Sequence, residues 1–337
     1  MYVASQRYRS QTDTYMPKQT YAHRTLDLDD YESLTRLNFA RLAASQGDSL
    51  RALLEQNTAI HFRNLEQSVL ARFDTILLSN ENDRRAIAAN YGCSHFRLLP
   101  NCIETRPGLS GAPYLTSLLT LLFVGTIDYY PNADAAIYFC LSVLLLLRRQ
   151  LSPLPFRVLI VGARPTKEVR CFGAHPEVHV TGEVEDLAPF YRVADVVIAP
   201  LRVGGGIWVK ILEAFAYAKA VVTTGPGSDR LNVRHGAEIF VANTPLQFAE
   251  YCKRLLVTPQ LRETTGRRAR EWLVSHHSIG ELLSTCCRPI LALNRFRTRT
   301  NRAFHLRILP ASRPCESPCL SFVPELPSIP AASAGCE

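Results

Sequence analysis

Residues 196–216 read VVIAPLRVGGGIWVKILEAFA, and this stretch decides the fold. Val196 to Ala199 is an apolar strand with no polar face, as in a parallel sheet covered on both sides. The run Gly204-Gly205-Gly206 follows, and the segment Trp208 to Tyr217 has the pattern of a helix. Glycines let the backbone approach a ligand closely, and the free N–H groups and dipole of a helix start favour a phosphate. Lys210 adds a positive charge within the first turn. Glu213 falls on the same helix face three residues on and can accept two hydrogen bonds from a ribose diol. The bland reading of the same spacing is an ion pair between Lys210 and Glu213.

The text around this stretch repeats the pattern. Upstream, strand Leu119 to Val124 ends in Gly125, helix Ala133 to Arg149 follows, and strand Phe156 to Val161 ends in Gly162. Strand Val178 to Thr181 ends in Gly182, and helix Leu187 to Val193 leads back to Val196. Downstream lie strands Ala220 to Thr223 and Glu238 to Ala242, then helices from Leu246 and Gln260. Apolar strands alternating with helices define an α/β domain with a parallel sheet, whose sites are expected at the carboxyl ends of the strands.

The remainder divides by composition. Residues 1–22 are polar without periodicity and are expected to be disordered. Residues 23–115 hold helical patterns at Leu34 to Ala44 and Ser49 to Phe73, then strand Asp74 to Ser79, helix Asn80 to Asn90 and strand Phe96 to Pro100. Residues 116–296 are the domain just described, and 297–337 read as a disordered, basic, Pro/Ser-rich tail.

With 47% hydrophobic and 20% charged residues among 337, a large core is expected. The ten cysteines are scattered and follow no secretory signal, so reduced thiols in the cytoplasm are expected. The longest apolar run, Ala136 to Leu147, is shorter than the roughly 20 residues of a bilayer crossing. A net charge of +8 points to anionic partners, including peripheral contact with the inner membrane face. Nucleic acid is not expected, since no binding module or aromatic-basic pattern accompanies the basic tail. No histidine or carboxylate spacing gives a metal site; Asp27-Leu28-Asp29 spells D-x-D, a three-residue match that chance supplies readily.

The blocks LLFVGTIDYYPNADAA (121–136), RVLIVGARP (157–165), VHVTGEVEDLAPFYRVADVVIAPLRVGGG (178–206), KILEAFAYAKAVVTT (210–224) and VRHGAEIFVAN (233–243) together resemble family 4 (group 1) glycosyltransferases of the GT-B fold, in particular the subgroup with a glycine triplet. The resemblance implies a C-terminal Rossmann-like domain that binds a nucleoside-diphosphate sugar, and an N-terminal acceptor-side domain. Only the later part of that N-terminal domain has a counterpart here; about eighty to a hundred residues are expected to be missing, by ordinary domain size.

By the same resemblance, Glu213 is the second glutamate of E-x7-E and holds the donor ribose. Lys210 and the amides of Gly204, Gly205 and Gly206 face the diphosphate, Gly182 and Val184 lie beside the base, and Gly125 and Thr126 beside the sugar phosphate. Lys210 and Glu213 are then the catalytic pair. The first glutamate of the motif falls at Gly205, and Ile207 and Trp208 stand where the subgroup has Thr and Arg. The implied activity is retaining transfer of a sugar, without metal or other cofactor, to a saccharide, lipid-linked or small-molecule hydroxyl, as in polysaccharide biosynthesis. The alternative is a truncated or inactive relative that only binds the nucleotide. A weaker one is binding of the basic tail to anionic membrane or nucleic acid.

Overall fold

The computed structural model describes residues 2–6 (backbone only), 24–28, 30–92, 95–103 and 118–278. Two parallel sheets organise them. The first holds strands β1 (Tyr2–Gln6), β2 (Arg24–Leu28), β3 (Thr75–Leu78) and β4 (Phe96–Leu98), side by side in chain order. Helices α1 (Glu32–Ser45), α2 (Ser49–Leu70) and α3 (Glu81–Tyr91) connect them. For residues 2–6, strand β1 corrects the expectation of disorder over 1–22, the rest of which lies outside the described residues: its backbone pairs with β2 from Tyr2 against Arg24 to Gln6 against Leu28. Ladder hydrogen bonds order a segment whose side chains carry no strong periodicity. The expected tail, 297–337, lies outside the described residues.

A small core of Leu26, Ile76, Leu78, Ile87 and Phe96 fills this sheet's interior. Helix α2 turns its small residues Ala52 and Ala59 inward, while Leu50, Leu53, Leu54 and Ile60 are exposed. At the far end of α2, Glu66 is buried and accepts from the Ser33 amide and hydroxyl, at 2.9 and 2.6 Å, so its carboxylate closes the start of α1.

The second sheet has the strands β5 (Leu119–Val124), β6 (Phe156–Val161), β7 (Val178–Gly182), β8 (Val196–Ala199), β9 (Ala220–Thr224) and β10 (Phe240–Ala242). Their spatial order is β10-β9-β8-β5-β6-β7, all parallel. Helices α4 (Tyr130–Tyr138), α5 (Leu144–Leu151), α6 (Lys167–Cys171) and α7 (Ala188–Val193) precede β8. After it come α8 (Val209–Ala216), α9 (Gly225–Ser228), α10 (Pro245–Val257) and α11 (Pro259–His277). A π-helical turn, Phe139–Val143, joins α4 to α5. That continuous helix, Tyr130–Leu151, has the length and apolar composition of a membrane span, beyond the shorter run read from the sequence. Most of it is nevertheless buried, with Phe139 packed edge-on to Phe248 of α10, as suits a core helix.

The chain leaves β5 for β6 on one side and returns to β8 on the other, so β5 marks the topological switch point. Such sheets bind ligands in the crevice at the carboxyl ends of the strands flanking the switch point, here β5 and β8. Across it, α1 of the first sheet meets α4 of the second: Phe39 packs edge-on to Tyr129 and Tyr130, and Gln46 donates to Asp134 at 2.8 Å. Asn82 donates to the carbonyl of Asp229 at 2.6 Å beside an Asp83–Arg230 ion pair. The end of α11 meets the segment that follows β4, where Ile103 donates to the carbonyl of His277 at 3.2 Å.

Candidate active site

Gly125 follows β5, and the glycine triplet lies between β8 and α8, so both reach the same crevice. An added Cβ at Gly125 would lie 2.8 Å from Lys210 Nζ and 2.8 Å from Asn132 Nδ2, tighter than any real contact. The glycine therefore lets the chain close over these two groups. Gly162, after β6, comes as close from the other side; its Cβ would meet the Gly125 carbonyl oxygen at 1.7 Å.

Lys210 is buried, and its Nζ donates to Asn132 Oδ1 at 2.5 Å. The Phe123 ring centroid is 4.4 Å from the ammonium, and that of Trp208 is 5.8 Å away. Asn132 itself donates to the carbonyl of Thr126 at 2.8 Å, which ties Lys210 to the loop after β5. Burial depresses the ionisation of Lys210 to about 7, against a partial opposing effect of the Glu213 charge.

Glu213 is partly buried and accepts from Tyr191 Oη at 3.0 Å. Its ionisation is raised by burial and lowered by the Tyr191 hydrogen bond and the Lys210 charge. Lys210 and Glu213 thus share a helix and each other's field, but each has its own hydrogen-bond partner. The ion pair that their spacing allows is not what organises them.

Gly206 has φ of +61°, a left-handed conformation that favours glycine. Thr35 Oγ1 sits 2.1 Å from where a Cβ on Gly205 would be, and Asp30 Oδ1 1.9 Å from one on Gly206. Gly204 lies against the Trp208 ring, its added Cβ only 1.9 Å from Cζ2. Trp208, standing where the resemblance implies arginine, is buried and donates from Nε1 to the Pro226 carbonyl at 3.3 Å. Ile207 beside it is buried as well.

Gly182 ends β7 two strands away at the same sheet edge, with φ of +79° and open space where a side chain would point. Val184 packs partly buried against the core beyond it. The structure thus brings Gly125, Thr126, Lys210 and the triplet together through Asn132 and Trp208. Glu213 is one helical turn on, and Gly182 and Val184 lie to the side. Sequence reasoning did not single out Asn132 or Tyr191. Asn132 stands in the quoted PNADAA block, and Tyr191 in APFYRV, a tyrosine on an otherwise apolar helix face.

Among the described residues no group of three His, Cys, Asp or Glu side chains gathers to hold a metal. Asp27 lies in β2, and Asp29 is outside the described residues. Cys102, Cys140, Cys171 and Cys252 are free thiols.

A doubly wound nucleotide-type domain facing a second α/β sheet across a cleft is the GT-B architecture, and known structures share it. A variant of S. aureus TarM in complex with Fondaparinux, alpha-GlcNAc-glycerol and UDP superposes with a TM-score of 0.62 at 12% identity, over 85% of this chain and 53% of that one. Sucrose-phosphate synthase from Thermosynechococcus elongatus gives 0.63 at 16% identity, over 83% and 70%. Anabaena HepE in complex with UDP and glucose gives 0.59 at 14%, over 80% and 72%. The chain spans about half the length of TarM. No curated protein sequence matches it. Residues 119–258 match the family Glycosyl transferases group 1, and this segment is a group 1 glycosyltransferase domain.

Proposed function

We propose that this chain binds a nucleoside-diphosphate sugar in the crevice after β5 and β8 and transfers the sugar, with retention, to a saccharide, lipid-linked or small-molecule hydroxyl. The observation that carries the proposal is the meeting of Lys210 Nζ, Asn132 and Gly125 at the switch point, beside the glycine triplet. The leaving group is a diphosphate, and the reacting carbon passes through an oxocarbenium-like state, so stabilising the departing charge is the main task. Lys210 would supply positive charge in a site shielded from water, the triplet amides would donate to the phosphate oxygens, and Glu213 would accept from the ribose diol. No metal is required by this scheme. A cytoplasmic location with peripheral contact to an anionic membrane face belongs to the same proposal and rests on the net charge of +8.

A second reading, nucleotide binding without transfer, is favoured by the packing of Thr35 and Asp30 against Gly205 and Gly206, which places protein over the outward face of the triplet. Two measurements on the full chain separate the readings. Calorimetry with UDP, GDP and ADP is expected to show binding to at least one at millimolar affinity or better, without magnesium; no heat with any of them sinks both readings. Donor consumption that is abolished by Glu213→Ala supports transfer. Binding with no consumption across a panel of UDP-, GDP- and ADP-sugars, each tested with saccharide acceptors, supports the second reading.

A further inference from the structure

Tyr191 is the largest fully buried side chain among the described residues, and its hydroxyl points at a site residue. It lies on α7, and its Oη is 3.0 Å from Glu213 Oε2 and 3.5 Å from the Lys210 carbonyl. Its ring stacks on Tyr217 with centroids 4.7 Å apart and planes 7° from parallel. Tyr217 follows α8, and its amide donates to the Glu213 carbonyl at 3.1 Å. The ring is thus clamped, and the hydroxyl has little freedom to turn elsewhere. Burial beside Glu213 pushes the tyrosine ionisation well up, so it remains a donor at any working pH.

We propose that Tyr191 is a positioning residue that fixes the Glu213 carboxylate for a ribose diol. This rests on the reading of Glu213 as the ribose-binding group. A glutamate on a helix has three rotatable bonds, and a diol is held by two hydrogen bonds only when both partners stand still. Tyr191 takes one of the roughly four acceptor positions of the carboxylate. Oε1 accepts no hydrogen bond from the described residues, and one further position remains on Oε2. Those are enough for two hydroxyls. The same bond favours the charged carboxylate against the cost of its burial.

The test uses the full chain and compares UDP, GDP and ADP with their 2′,3′-dideoxy counterparts, with and without Tyr191→Phe. Phenylalanine keeps the ring and its stacking and removes only the hydroxyl. The parent chain is expected to prefer the ribonucleotide by about ten-fold or more, the range of hydrogen bonds to a charged group. Tyr191→Phe should cut that preference to about three-fold or less by weakening the ribonucleotide alone. A ratio of affinities within one variant is independent of the folded fraction. Should Tyr191→Phe not purify, Tyr191→Leu also lacks the hydroxyl and must give the same ratio. Equal weakening of both nucleotides, or an unchanged preference, overturns the proposal while leaving the ribose reading in place. A parent chain with no preference overturns the ribose reading and the inference together.

Discussion

Lys210 Nζ bonds Asn132 Oδ1 at 2.5 Å across 78 residues of sequence, while Glu213, one helical turn from Lys210, accepts from Tyr191. Two site residues that look like an i,i+3 ion pair are held apart by partners on other elements. Neither group is therefore committed to the other, and each can face a ligand.

Asn132→Ala removes both the acceptor for the lysine and the donor to the Thr126 carbonyl. Leaving the buried Lys210 without its partner costs about 1–3 kcal/mol, to be read from denaturant unfolding. Diphosphate affinity should fall about ten-fold with the loss of one such contact. Asn132→Asp should retain stability better yet bind diphosphate no more tightly, because its added negative charge opposes the ligand.

Nucleotide binding should take up a proton near pH 8. Free Lys210 ionises at about 7 because it is buried, and a bound diphosphate would restore its ammonium. Affinity should then fall as pH rises above 7, by up to about ten-fold per unit. Calorimetry in buffers of differing ionisation heat measures the uptake, which should vanish by pH 6, where the lysine is already charged. Uptake that persists in Lys210→Met would assign the proton elsewhere.

Asp83 and Arg230 pair at 3.3 Å across the cleft, with side chains 2% and 13% exposed, and Arg230 also donates to the Gly204 carbonyl at 3.4 Å. Asp83→Ala leaves a guanidinium buried without its carboxylate, a change that costs about 3–5 kcal/mol. Thermal unfolding should show a marked loss of stability. The double variant Asp83→Ala with Arg230→Met should recover much of it, since no unpaired charge is left inside.

His277, at the end of α11, is buried with Nδ1 2.6 Å from the Asn101 carbonyl oxygen. Its ionisation is lowered chiefly by burial and also by His276, against a raising effect of the Asn101 carbonyl. As pH falls through about 6.5 the unfolded chain takes up the proton and the folded chain resists. Stability is thus intact above that value and lost as pH falls toward the folded value. Melting temperatures between pH 5 and 8 should show the slope, and His277→Gln should flatten it.

The sequence by itself determined the elements and the edge on which the site lies. Residues 158–161 and Val196–Ala199 lie in strands with the expected bounds, because apolar runs closed by a glycine or proline leave little alternative. The glycine triplet before an apolar helix marked the crevice for the same local reason. Tertiary structure decided what local pattern cannot carry. Tyr2–Gln6 is a strand only because β2 offers it a ladder. Leu50, Leu53 and Leu54 repeat at helical spacing, yet the helix buries its alanines instead. Trp208 occupies the core against Gly204, where the resemblance implied an arginine facing phosphate. The partners of Lys210 and Glu213 come from α4 and α7, and neither could be read from spacing. A buried charge is satisfied by whichever polar atom the packed fold brings within about 3 Å, and that depends on the strand order of the whole sheet.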